Sequence, residues 1–147
     1  MEQEHASRRD VLQAGLAAVA ALACDGCAQL GSRKPDVVIE PAGGVIDLGK
    51  DRSSTLLRSE GSLLVRPGAN ADKILVVHGR DGSLYAVTSV CTHMGCDVLY
   101  DSGLGHLRCP CHGSEYGLDG HNIKGPAKRP LKPYNVTVRD GHVAIEL

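Results

Sequence analysis

The chain has no phenylalanine and no tryptophan, and its four tyrosines leave it only 3% aromatic over 147 residues. Without large rings the interior must be aliphatic and modest, and a small domain with such a core calls for a staple. An excess of one charge is missing too. The formal net charge is -1 and the basic residues are scattered, which argues against a nucleic-acid groove or a polybasic membrane patch and leaves proteins as the expected macromolecular partners. The longest uncharged apolar stretch, Val11 to Cys24, is broken by Gln13 and Gly15 and falls short of the ~20 residues a helix needs to cross a bilayer core. Helical periodicity of useful length is absent after residue 30.

What the chain does have is turn residues, 18 glycines and 7 prolines, and six cysteines. Short β-branched runs, Val37–Ile39, Val45–Leu48, Leu63–Arg66, Ile74–His78 and Leu84–Val87, alternate with those turns. Asp81-Gly82, Asp119-Gly120 and Asp140-Gly141 each predict a hairpin of type I′, with positive φ at both central residues. Tyr134 to Leu147 alternates as a closing hairpin. The expected fold class is all-β, an antiparallel β-sandwich or barrel-like base carrying a small loop-rich insertion.

The N-terminus reads as an address. Ser7-Arg8-Arg9-Asp10-Val11-Leu12 followed by an Ala-rich run has the shape of a twin-arginine signal. It predicts a protein exported to the periplasm or the outer face of the inner membrane, touching the membrane only through this segment if it is retained or lipidated at Cys24. Cys24 and Cys27 have no βαβ pattern around them, so a redox Cys-x-x-Cys is not expected there.

The other four cysteines crowd among histidines in two loops, Cys91-Thr92-His93-Met94-Gly95-Cys96 and Cys109-Pro110-Cys111-His112-Gly113-Ser114. Each loop offers one Cys-His pair plus one more Cys, a pattern that reads as metal, disulfide or both. A mixed set of two thiolates and two imidazoles suits a cluster with two unlike irons, and neutral imidazoles in place of thiolates raise its potential. Tetrahedral zinc in a structural module is the alternative of another class, although zinc sites usually pair like donors. A framework of disulfides through all four cysteines is a third reading, and it leaves the histidine spacing unexplained.

Cys-Thr-His-x-Gly-Cys followed by Cys-Pro-Cys-His-Gly-Ser resembles the signature of the Rieske iron-sulfur proteins. The resemblance implies a [2Fe-2S] cluster with Cys91 and Cys109 on one iron and His93 and His112 on the other. It also implies a Cys96 to Cys111 disulfide, hydrogen bonds to cluster sulfur from Ser114 and Tyr116, and a proline loop at Gly125-Pro126-Ala127 covering the site. That disulfide is a mark of the high-potential branch, which includes arsenite oxidase small subunits and the Rieske subunits of cytochrome bc and bf complexes. Met94 stands where quinol-oxidising members usually have leucine. The implied organisation is a signal or anchor over 1–31, a lead-in with short strands over 32–60, and the domain proper over 61–147, with 88–130 binding the cluster.

The same resemblance implies one-electron transfer, not a complete reaction, with a large catalytic subunit or a cytochrome as redox partner. In that branch the imidazoles sit at the surface and couple proton to electron uptake. A quinol-oxidising role in a cytochrome bc-type complex is the alternative. An oxygenase would need a mononuclear iron in a large C-terminal domain, and that role is not expected here. His5, His78, His106, His121 and His142 fit no ligand pattern. Lys124, Lys128, Arg129 and Lys132 read as a solvated stretch, and Tyr85, Tyr100 and Tyr134 as packing.

Overall fold

The structure, a computed structural model, describes residues 32–58 and 61–147. The segment expected to be a signal or anchor, residues 1–31 with Cys24 and Cys27, lies outside the described residues.

Twelve strands and one short helix are seen among them. The central sheet has five strands in the order β1-β3-β4-β5-β10, formed by Val37–Ile39, Ser62–Pro67, Ile74–His78, Leu84–Thr88 and Pro133–Tyr134. A three-stranded sheet joins β11 (Val136–Arg139), β12 (His142–Glu146) and β2 (Val45–Asp47). A four-stranded sheet runs β6 (Leu99–Asp101), β7 (His106–Arg108), β8 (Glu115–Tyr116) and β9 (Asn122–Lys124).

β4 shows how these parts are held. Its first four residues, Ile74 to Val77, are all buried, as expected of a strand covered on both faces. Successive side chains point to opposite faces. Ile74 and Val76 join Ile46, Leu48, Val65, Ala86, Val143 and Ile145 in one core, under the three-stranded sheet. Leu75 and Val77 join Leu64, Val87, Val98, Leu107, Leu131 and Tyr116 in a second core, under the four-stranded sheet. The base is a sandwich and does not close into a barrel. The molecule is therefore layered on one aliphatic strand, and Cys91 and Cys109, at the starts of the two cysteine loops, belong to the second core.

Three local features differ from the sequence reading. β1 pairs with β3 in parallel, Val37 opposite Val65, because residues 40–61 supply the long crossover that parallel pairing needs. An α-helix, α1 (Gly49–Leu56), occupies part of that crossover. Its two turns bury only Ser53 and Leu56, too little to register as helical periodicity. Asp47 Oδ1 accepts from Gly49 N–H at 2.8 Å at its start, and Ser53 Oγ accepts from Val143 N–H at 2.9 Å, which fastens the helix to β12.

The third difference concerns the turns. All three Asp-Gly sites do turn, but only Asp140-Gly141 has both residues at positive φ, 52° and 78°. In Gly79-Arg80-Asp81-Gly82 and Gly117-Leu118-Asp119-Gly120 the second glycine alone is left-handed. There the first glycine's carbonyl accepts from the second glycine's N–H, and its own N–H donates to the residue beyond, Ser83 or His121, at 2.8 and 2.9 Å. These are longer turns closed by a bulge, a common alternative hairpin geometry. A glycine two residues before the aspartate marks both.

Candidate metal centre

The two cysteine loops have the same backbone wiring. In the first, Cys91 N–H donates to Cys96 carbonyl at 2.8 Å and Gly95 N–H to Cys91 carbonyl at 2.9 Å. In the second, Cys109 N–H donates to Ser114 carbonyl at 2.8 Å and Gly113 N–H to Cys109 carbonyl at 3.0 Å. Gly95 and Gly113 have φ of 77° and 71°, a conformation that an L side chain rarely adopts. Each glycine thus allows its loop to fold back on its first cysteine.

The consequence is an asymmetric donor set. Cys91 and Cys109 are free and buried, whereas His93 and His112 are exposed, with ring centroids 4.8 Å apart and planes at 87°. Cys96 and Cys111 form a disulfide that ties the loops together. The sulfurs of Cys96, Cys109 and Cys111 lie within 4.8 Å of one another. Two of them are spent in the disulfide, so this trio is not a three-thiolate site.

The surroundings treat the two free thiols differently and favour thiolate at Cys91 alone. Burial pushes the Cys91 thiol up, but the Tyr116 hydroxyl, the His93 and Met94 N–H groups and the Cys109 thiol outweigh it, so its pKa ends below the ordinary value. At Cys109 burial wins and the pKa is raised, despite the N–H groups of Cys111 and His112. Burial, and then the contact with Cys91, raises the Tyr116 hydroxyl, consistent with that hydroxyl acting as donor. Backbone amides aimed at a sulfur stabilise a metal-bound thiolate in the same way.

Ser114 and Tyr116 are both fully buried. Tyr116 Oη stands 3.3 Å from Cys91 Sγ. Ser114 Oγ accepts from Ala127 N–H at 3.1 Å, so its own proton remains to be given to another acceptor. The same bond ties the Gly125-Pro126-Ala127 turn to the second loop. Thr92, assigned no role from the sequence, donates its hydroxyl to Arg129 carbonyl at 2.6 Å and lies 3.2 Å from Tyr116 Oη. It ties the first loop to the chain just past that turn. Asp97, directly after Cys96, is also buried, in an ion pair with Lys73. No spacing rule marked either residue. Of the basic stretch, Lys124 pairs with Glu115 at 3.5 Å, and Lys132 lies 4.4 Å from the centre of the Tyr134 ring.

Two buried thiols, two exposed imidazoles, amides aimed at sulfur and two buried hydroxyls fit an iron-sulfur cluster with mixed ligands. The fold and the donor set define a small β domain of that class. The family model of the Rieske [2Fe-2S] domain matches residues 53–135, and the chain belongs to that family, whose cofactor is a Rieske-type [2Fe-2S] cluster. It is 47% identical over 79 residues to the cytochrome b6-f complex iron-sulfur subunit of Chlorobaculum tepidum, which covers 53% of this chain and 42% of that protein. With the same subunit of Gloeobacter violaceus it shares 40% identity over 78 residues, again 53% and 42%. The chain thus matches less than half the length of these curated relatives. Among solved structures, the plasma-membrane Rieske protein PetC3 from Synechocystis PCC 6803 superposes with a TM-score of 0.57 at 30% identity, over 69% of this chain and 99% of that one. The ferredoxin of carbazole 1,9a-dioxygenase from Nocardioides aromaticivorans, at 20% identity and a TM-score of 0.54 over 69% and 96%, shares the fold.

Proposed function

We propose that the chain is a one-electron relay of the high-potential Rieske type, working as the small subunit or soluble partner of an exported oxidoreductase. The observation that carries this reading is the asymmetry of the site, two buried thiols behind two exposed imidazoles. Cys91 and Cys109 would hold the inner iron, and His93 and His112 the outer one. The bound cluster would supply reversible one-electron chemistry at a potential raised by its neutral ligands. The protein does the rest. Tyr116 and Ser114 present hydroxyl protons toward the sulfur side of the site, the disulfide holds the two loops in register, and the Gly125-Pro126 turn covers a third side. The exposed rings of His93 and His112 offer a nitrogen each to a partner, the place where a proton can be held while an electron passes.

The signal-like segment 1–31 supports export to the periplasmic side. Among the described residues no helix is long and apolar enough to cross a membrane. The redox partner is a large catalytic subunit or a cytochrome. A second reading, quinol oxidation within a cytochrome bc-type complex, is favoured by the identity with cytochrome b6-f iron-sulfur subunits and by exposed Met94 beside His93.

The test is a redox titration of the purified protein followed by EPR at several pH values. The expected result is a Rieske-type signal at a high potential that falls as the pH rises. A protein that takes up zinc and gives no signal after anaerobic reconstitution with iron and sulfide would overturn the reading. Co-purification with a molybdenum-containing subunit or with a cytochrome b then separates the two partners.

A further inference from the structure

The segment leaving residue 31 does not run free past the domain. Asp36 N–H donates to Leu64 carbonyl and Asp36 Oδ2 accepts from Leu64 N–H, both at 2.8 Å, which pins one end to β3. At the other end Arg33 N–H donates to Asp97, while Lys73 Nζ donates to Arg33 carbonyl at 2.6 Å and to Ser32 Oγ at 3.2 Å. Lys73 and Asp97 themselves form a buried ion pair, their side chains 7% and 6% exposed. Asp97 Oδ1 accepts from Ser89 Oγ at 2.9 Å, and Ser89 N–H donates to Lys73 carbonyl at 2.8 Å. All three ammonium protons therefore have acceptors, and both carboxylate oxygens have donors.

This network sits at the neck of the first cysteine loop. Asp97 follows Cys96 and bridges Val90, which precedes Cys91, and Val98 N–H donates to Ser89 carbonyl at 2.7 Å just below. A well-packed apolar pair is often as stable as a buried ion pair. What the polar pair adds is a fixed seat for the strap. We propose that Asp97 is a positioning residue for the cluster: paired with Lys73, it locks the Ser32–Arg33 strap to the neck of the Cys91–Cys96 loop, so that strap and loop move as one body. Displacing the chain before Ser32 would then disturb the loop that carries Cys91 and His93. This rests on the Rieske reading of the site.

The full-length, cluster-loaded protein tests it with Lys73→Met/Asp97→Leu, which keeps the site filled, and Asp97→Asn, which keeps its shape. Trypsin reads the strap at the Arg33–Lys34 bond, since Lys34 is followed by Pro35. EPR line positions, midpoint potential and the rate of cluster bleaching read the loop. The expected result is that both variants are cut about tenfold faster or more, the effect of losing about one charge-assisted hydrogen bond, and that their EPR lines and potential shift together with faster bleaching. A strap cut no faster than in the wild type overturns the lock. A released strap with unchanged EPR lines and potential overturns the positioning role, because a folding defect alone lowers the amount of signal without moving it. The protease readout needs no cluster, so a wild type without a Rieske signal would defeat the proposed function and not the lock.

Discussion

At the scale of single residues, the site turns on how few protons its hydroxyls have to give. Thr92 commits its proton to the Arg129 carbonyl, so toward Tyr116 it can only accept. Tyr116 has one proton and two acceptors in reach, Cys91 Sγ at 3.3 Å and Thr92 Oγ1 at 3.2 Å. With Cys91 as a cluster ligand, as proposed, its sulfur would be the better acceptor in the more negative, reduced state, so the Tyr116 bond would favour reduction and hold the potential up. Tyr116→Phe should lower the midpoint potential by on the order of 60 mV, the one-electron equivalent of about 1.4 kcal/mol of hydrogen bonding. Ser114→Ala should lower it as well. It should also shed the cluster faster than Tyr116→Phe does, since Ser114 Oγ is in addition the acceptor that ties down Ala127. Redox titration and bleaching of the two variants check this, and unchanged potentials in both would remove the two hydroxyls from the site.

At the scale of elements, the two cysteine loops were legible because their chemistry is written in contiguous residues, and so were most strands, because short β-branched runs such as Ile74–His78 stand between turn residues. What the sequence hid is non-local or too short. The parallel pairing of Val37 with Val65 is set by the crossover between them and not by either strand. α1 is hidden because two turns with two buried residues leave no pattern. Asp81-Gly82 and Asp119-Gly120 were misassigned in turn type because the deciding residue is the glycine before them. Lys73 with Asp97, separated by 24 positions, and Thr92 with Arg129, separated by 37, meet only in the fold. The disulfide is the element-level staple that an aromatic-poor core calls for. It closes a separation of 15 residues, a loop length for which chain-entropy arguments give about 3 kcal/mol. Cys96→Ser or Cys111→Ser should therefore lower the thermal midpoint and bleach the cluster faster, as followed by visible absorbance during heating. Undiminished stability in both would mean that the loops hold each other without it.

At the scale of the whole molecule, the aliphatic layers leave the turns to be held by polar contacts, and these make stability depend on pH with a definite sign. Asp47 lies below the usual carboxylate value because Gly49 N–H and His142 hydrogen-bond to it. Asp81 is lowered by the Tyr85 hydroxyl and then by Ser83 N–H. Asp119 is lowered chiefly by the His121 ring. In each case the folded protein binds its proton more weakly than the unfolded chain, whose ordinary value is 3.8. Their contribution is therefore fully present above that value and is lost as the pH falls through it and on through the lower folded values. Two of the three sit in the bulged hairpin turns and the third at the start of α1. The share of the acid limb that these three carboxylates carry thus reports on the periphery of the sandwich. Thermal unfolding followed by circular dichroism between neutral pH and pH about 3 should show the wild type losing midpoint on the acid side. A variant carrying Asp47→Asn, Asp81→Asn and Asp119→Asn should start lower at neutral pH and fall less steeply. Parallel curves for the two proteins would mean that these carboxylates are solvated alike in the folded and unfolded chain, and would assign the acid limb to other groups.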